Sequence, residues 1–120
     1  MFATPVSAHD YLAVGAKATT WRVGDSVFYP GGCHAAEPMV QVAENASNEL
    51  FILYVVRGEC FIAPEPMSGV LVNWVGGPYQ DNSDGFVGSV WEIRDFAGEV
   101  QFIWLKDDSG SHRAAEARGA

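Results

Sequence analysis

Oxygen-bearing side chains crowd into one short stretch, "GGPYQDNSDGFVG" at residues 76–88, where Asp81, Asn82, Ser83 and Asp84 follow one another without a break. Such a run can do two things. It can turn the chain: Asp84-Gly85 suits the positive φ angles of a type I′ hairpin, and Asn82 and Ser83 can bond their own backbone. It can also hold a hard cation, because Ca²⁺ takes about six to eight oxygens and Asp81, Asn82 and Asp84 with nearby carbonyls supply several of them. The hairpin corner is the first reading and the calcium loop the second. An EF-hand is excluded, since counting from Asp81 the glycine required at the sixth place is Phe86, and Gly85 comes one position early. Trp74 and Tyr79 precede the Asp81–Asp84 run and offer ring faces that could stack on the apolar side of a sugar.

Other reactive residue types carry less. Cys33 and His34 are adjacent, but neighbours in an extended chain point to opposite faces, so adjacency does not make a thiol and base pair. His9, His34, His112, Cys33 and Cys60 show no zinc-ligand spacing. The acidic residues, among them Glu37 with Glu44 and Glu59 with Glu65, carry no mark of an opposed catalytic pair, so no enzyme is expected. Cys33 and Cys60 are the only cysteines. Two free, buried thiols in a reducing compartment are the first reading, and a bridge worth roughly 3 kcal/mol is the second.

The partners are bounded by charge. Fifteen acidic against seven basic residues give a net charge of −8 in 120 residues, and the basic ones are scattered, so a phosphate backbone is repelled and no nucleic acid is expected. No apolar run approaches the ~20 residues needed for a membrane span. The start, "MFATPVSAHDYLAVGAKATT", lacks the basic and apolar regions of a secretory signal, so a cytoplasmic location at synthesis is expected.

These residues must be positioned by strands. Short β-branched and aromatic runs alternate with turn residues from residue 18 to residue 105: "ATTWRV", "SVFY", "MVQVA" (39–43), "LFILYVV" (50–56), "CFIA", "VLVNWV", "FVGSVWEI" and "EVQFIWL". Their spacing predicts an all-β chain, an antiparallel β-sandwich or jelly-roll-like single domain of about eight strands over residues 1–120. Residues 1–17 read as an N-terminal arm and 106–120 as a flexible tail. "EVQFIWL" alternates Val100, Phe102 and Trp104 against Gln101, Ile103 and Leu105. "LFILYVV" is apolar throughout, as a strand covered on both faces by a second sheet or another subunit would be.

With the loop and strands in place, "VLVNWVGGPYQDNSDGF" (70–86) resembles a segment of the small calcium-dependent, galactose-specific soluble bacterial lectins. The resemblance implies a β-sandwich in which Asn73 and Tyr79 belong to the sugar site and Asp81 and Asn82 are consecutive calcium ligands. Trp74 stands where that family carries a ligating Asp, so Asp84 would have to supply the missing carboxylate. More faintly, "WRVGDSVFYPGG" is similar to the opening of SH3-like or Tudor-like domains.

The expectation is therefore a non-enzymatic binding domain with carbohydrate held by Asn73, Trp74 and Tyr79, and Ca²⁺ held by Asp81, Asn82 and Asp84. The alternative is a self-assembling structural or interaction protein with no small-molecule ligand. Four Trp, seven Phe and four Tyr exceed what a monomer's core obviously needs, and interface cores favour aromatics, so a homo-oligomer is expected.

Overall fold

Four strands and two helices make up the fold in the computed structural model, which describes residues 21–81, 83 and 85–107. Strand β1 is Ser26–Cys33, β2 Cys60–Asp81, β3 Phe86–Asp95 and β4 Val100–Lys106. All pairings are antiparallel, and the order β1-β2-β3-β4 closes on itself as a barrel. The chain is mostly β, as its alternation requires, with four strands closed as a barrel among the described residues where eight strands of a sandwich are expected.

Several predicted turns are strand. "YPGG" continues β1 to Cys33, and "APEPMSG" lies inside the single 22-residue β2. The ladder between β1 and β2 runs from Ser26↔Val70 to Tyr29↔Met67, then resumes at Gly31↔Ile62. Pro30 on one side and residues 63–66 on the other form no pair, so Pro30, Pro64 and Pro66, which have no N–H to give, sit where the ladder is interrupted. The segment 18–23 falls partly outside the described residues.

The larger correction concerns "MVQVA" and "LFILYVV", which are helical. Helix α1 is Ala36–Asn45 and α2 is Asn48–Val56. Pro38 stands in the first turn of α1, where no intrahelical donor is needed, and the buried residues Pro38, Met39, Val42 and Ala43 fall on one helical face. The apparent alternation of Met39, Val40, Gln41 and Val42 conceals that period. Between the helices, Ala46 takes the left-handed conformation at φ 47, and the Ala46 and Ser47 amides donate to the Ala43 and Val42 carbonyls. Ser47 then caps α2, its hydroxyl accepting from the Leu50 amide at 3.0 Å. Gly58, at φ 82, closes α2 in a Schellman motif, with the Gly58 amide on the Val55 carbonyl and the Glu59 amide on that of Tyr54. Stops and starts at both ends thus outweigh the strand propensity of the apolar run.

Two cores result. Val27, Tyr29, Leu71, Trp91, Ile93 and Ile103 fill the barrel interior. On the outer face of the same strands, α1 and α2 pack over Val75, Val90, Phe102 and Trp104, with Met39, Val42 and Ala43 buried between. Truncating a fully buried residue such as Leu71 or Ile93 to alanine costs about 2–5 kcal/mol. Cys33 and Cys60 lie in this second core and form a disulfide, so the free-thiol reading is corrected. Pairing of Cys33 opposite Cys60 on adjacent strands brings the two together, which no linear spacing reveals.

Candidate functional site: a cleft at the open seam

The barrel closes at one point. Strands β1 and β4 pair only at Cys33↔Phe102, and Gly32 permits that approach: a Cβ there would stand 2.6 Å from the Phe102 carbonyl oxygen and 3.1 Å from Ile103 Cγ2. Any side chain at residue 32 would push the two strands apart. Toward Ser26 the strands are unpaired with each other, and Pro30 contributes no N–H to either neighbour. The seam is closed at the Cys33↔Phe102 pair, where Cys33 is also bridged to β2 by the disulfide, and it is unpaired beyond that point.

A cleft of about 560 Å³ occupies the open part, within the range of small-ligand sites. Residues 28–31 of β1 form one wall and residues 103–106 of β4 the other. Met39 and Val42 of α1, Phe51 of α2 and the capping residues 46–48 roof it, and Ile62, Asp81 and Phe86 complete its lining. The lining is dominated by apolar and aromatic side chains. Phe28, on the outward side of an alternating strand whose Val27 and Tyr29 point into the core, is 77% exposed. Ile62 is 56% exposed. Phe86 and Trp104 meet edge to face with ring centroids 4.6 Å apart, and the Trp104 indole donates to the Gly88 carbonyl at 2.9 Å, which fixes its ring.

Polar groups enter at a few points. Asp81 and Lys106 are the ionisable residues of the lining besides Tyr29. Asp81 Oδ1 accepts from the Ser83 hydroxyl at 2.6 Å and the Ser83 amide at 2.9 Å, and these bonds hold its carboxyl below the usual range. Asp81 is therefore an anion at neutral pH. Behind the β1 wall, the Tyr29 hydroxyl donates to Gln101 Oε1 at 2.9 Å, and Gln101 Nε2 donates to Asp95 Oδ2 at 3.0 Å. All three are buried. Desolvation, with the Asp95 charge second, pushes the Tyr29 phenol up to about 12. This chain of hydrogen bonds satisfies polar groups that the barrel interior would otherwise penalise, and it locks the strand that forms the cleft wall.

The residues singled out from the sequence are distributed differently. Asn73 is exposed on β2. Trp74 is half-buried against the barrel-interior core, whereas Tyr79 packs with the helix-side core. Burial raises the Tyr79 phenol above its ordinary value, with Glu44 adding to the shift. The three do not share a face. Asp81 does line a site, but its companions there are Phe86, Trp104 and Lys106. Asn82 and Asp84 lie outside the described residues. The hairpin between β2 and β3 joins Asp81↔Phe86 by a four-residue loop, in which the Gly85 amide, at φ 78, donates to the Asp81 carbonyl, so the two-residue type I′ turn is corrected to a longer one. Among the described residues no three His, Cys, Asp or Glu side chains gather as a metal site requires.

Sequence reasoning missed the cleft. Phe28, Ile62 and Phe51 each looked like ordinary core residues of a strand. The usable signal was "YPGG": a Pro-Gly-Gly inside a strand, rather than after it, marks a broken ladder and a close crossing.

Comparison with protein families, curated proteins and solved structures finds no match for this chain. Fold and site define it as a small antiparallel barrel with a helical pair over one face and an open seam. Among the described residues no helix is long and apolar enough to cross a membrane.

Proposed function

We propose that the chain is a non-enzymatic binding domain whose ligand occupies the seam cleft through apolar and aromatic contacts. One observation carries this reading: Phe28 and Ile62 stand exposed at a cleft of about 560 Å³ whose other lining is mostly apolar. Large apolar side chains held at the rim of a concave site are what a ligand would cover. The test is titration with the neutral fluorophore N-phenylnaphthylamine. Saturable enhancement of its emission is expected, with affinity several-fold weaker in Phe28→Asp, a variant that folds because residue 28 is exposed. Absence of saturable binding, or binding indifferent to the substitution, would refute the reading.

The carbohydrate and Ca²⁺ reading of residues 73–85 has less support, because Trp74 and Tyr79 serve different cores and Asp81 is engaged by Ser83. Self-assembly is favoured by one separate observation. Helix α2 has no buried residue, and its Ile52, Leu53 and Val56 are exposed. A helix apolar on all sides is ordinarily covered. Light scattering tests this: a dimer or larger species that Val56→Lys converts to monomer supports assembly, and a concentration-independent monomer refutes it.

A further inference from the structure

The seam offers more than apolar side chains. An extended strand presents backbone N–H and C=O groups along both of its edges. Strand β1 spends one edge on β2 at Phe28↔Ser68, Tyr29↔Met67 and Gly31↔Ile62. Strand β4 spends one on β3, from Ile103↔Trp91 to Lys106↔Gly88. The opposite edges of residues 28–31 and 103–106 face each other across the cleft and form no ladder pair with one another. The Lys106 carbonyl at the outer limit of that edge accepts from the Trp21 indole at 2.9 Å. Four residues of strand amount to about 13 Å of edge. Among the described residues β1 and β4 pair only at Cys33↔Phe102, and an added strand would bond the edge groups beyond it, of which Pro30 offers its carbonyl alone, while its side chains alternate into flanking pockets.

Charge narrows the occupant. Asp81 is the anionic group of the lining, on the β2 side, and Lys106 ends the β4 wall. The whole chain carries −8, a field that draws in cationic segments and repels acidic ones. Resting on the binding reading above, we propose that the cleft takes an extended, apolar peptide segment of a partner protein, entering as a strand between β1 and β4 and bringing a basic side chain to Asp81. The free edges supply affinity independent of sequence. Phe28, Ile62 and Trp104 select apolar side chains at alternate positions, and Asp81 selects the cation.

The experiment is to pan a random decapeptide phage library on the immobilised full chain, with Phe28→Asp as the counter-selecting surface. The best binder is then synthesised with free and with alternately N-methylated backbone. Expected are enrichment of alternating apolar residues next to Lys or Arg, at least tenfold weaker binding by the methylated peptide, and at least tenfold weaker binding when the basic residue becomes Glu. Asp81→Asn should reduce the last difference to about twofold. Binders insensitive to methylation, or an acidic consensus, would overturn the proposal. If N-phenylnaphthylamine binds and Phe28→Asp weakens it while the library yields no binder, the strand proposal falls and the apolar-ligand reading stands. If the fluorophore also fails, both fall. Enrichment of sequences matching this chain's own strands would reassign the occupant to a second copy and overturn the partner named here.

Discussion

Breaking the Cys33–Cys60 disulfide should cost a large part of the domain's stability. The bridge spans 27 positions. On the chain-entropy relation, 2.1 plus 1.5R ln n with n near 27 gives roughly 12 cal/mol/K, or about 3.5 kcal/mol at 25 °C. Because ordinary domains are stable by only about 5–15 kcal/mol, that is a large fraction. Both cysteines are buried in the helix-side core, so reduction keeps the sulfur volume, whereas Cys33→Ala with Cys60→Ala also loses packing. The assay is urea unfolding followed by tryptophan emission, with and without reductant. Taking m at about 1–1.5 kcal/mol/M for a domain of this size, the midpoint should fall by roughly 2.3–3.5 M on reduction, and somewhat further in the double variant. A midpoint unchanged within a few tenths molar would refute the reasoning. So would quantitative reaction of two thiols in the unreduced native protein.

Three further outcomes follow from particular contacts. Tyr29→Phe leaves Gln101 Oε1 buried without its donor and should destabilise by about 1–3 kcal/mol in the same urea assay. The native phenol, pushed up to about 12, also favours the folded state only while neutral, so stability should fall as pH rises from 10 to 12, and Tyr29→Phe should remove Tyr29's share of that decline, leaving what the raised Tyr79 phenol contributes. Burial raises the Asp107 carboxyl to about 6 from 3.8, so the unfolded chain ionises first and stability should decline as pH rises from about 4 to 6. Asp107→Asn should abolish that decline and, after discounting for partial exposure, gain on the order of 1 kcal/mol at pH 7 in thermal unfolding. Ala46→Gly relieves a left-handed alanine between the helices and should raise stability by about 0.5–1 kcal/mol, with no change expected in circular dichroism.

What the sequence makes legible is the part of the fold governed by short-range pattern. In β4, the alternation of Gln101 and Ile103 against Phe102 and Trp104 is the division between barrel interior and helix-covered face. The helices escape because propensity and capping disagree. Residues 50–56 have the composition of a strand, while the decisive signals are one hydroxyl at Ser47 and one glycine at Gly58. The disulfide is set by the β1–β2 register, a long-range fact. Asp81 also lines the cleft together with Phe86 of β3 and Trp104 and Lys106 of β4, a meeting of distant strands that no local pattern announces. The cleft itself comes from pairing that does not happen between two distant strands, and no local pattern encodes an absence.

The central claim, a ligand site at the open seam, is tested most directly by following backbone amide resonances of the ¹⁵N-labelled chain during titration with N-phenylnaphthylamine. Saturable shifts confined to Phe28, Tyr29, Gly31 and residues 103–106, with Phe51, Asp81 and Phe86, are expected. Shifts centred on residues 73–79 or on the exposed side of α2, or no saturable shifts at all, would contradict it.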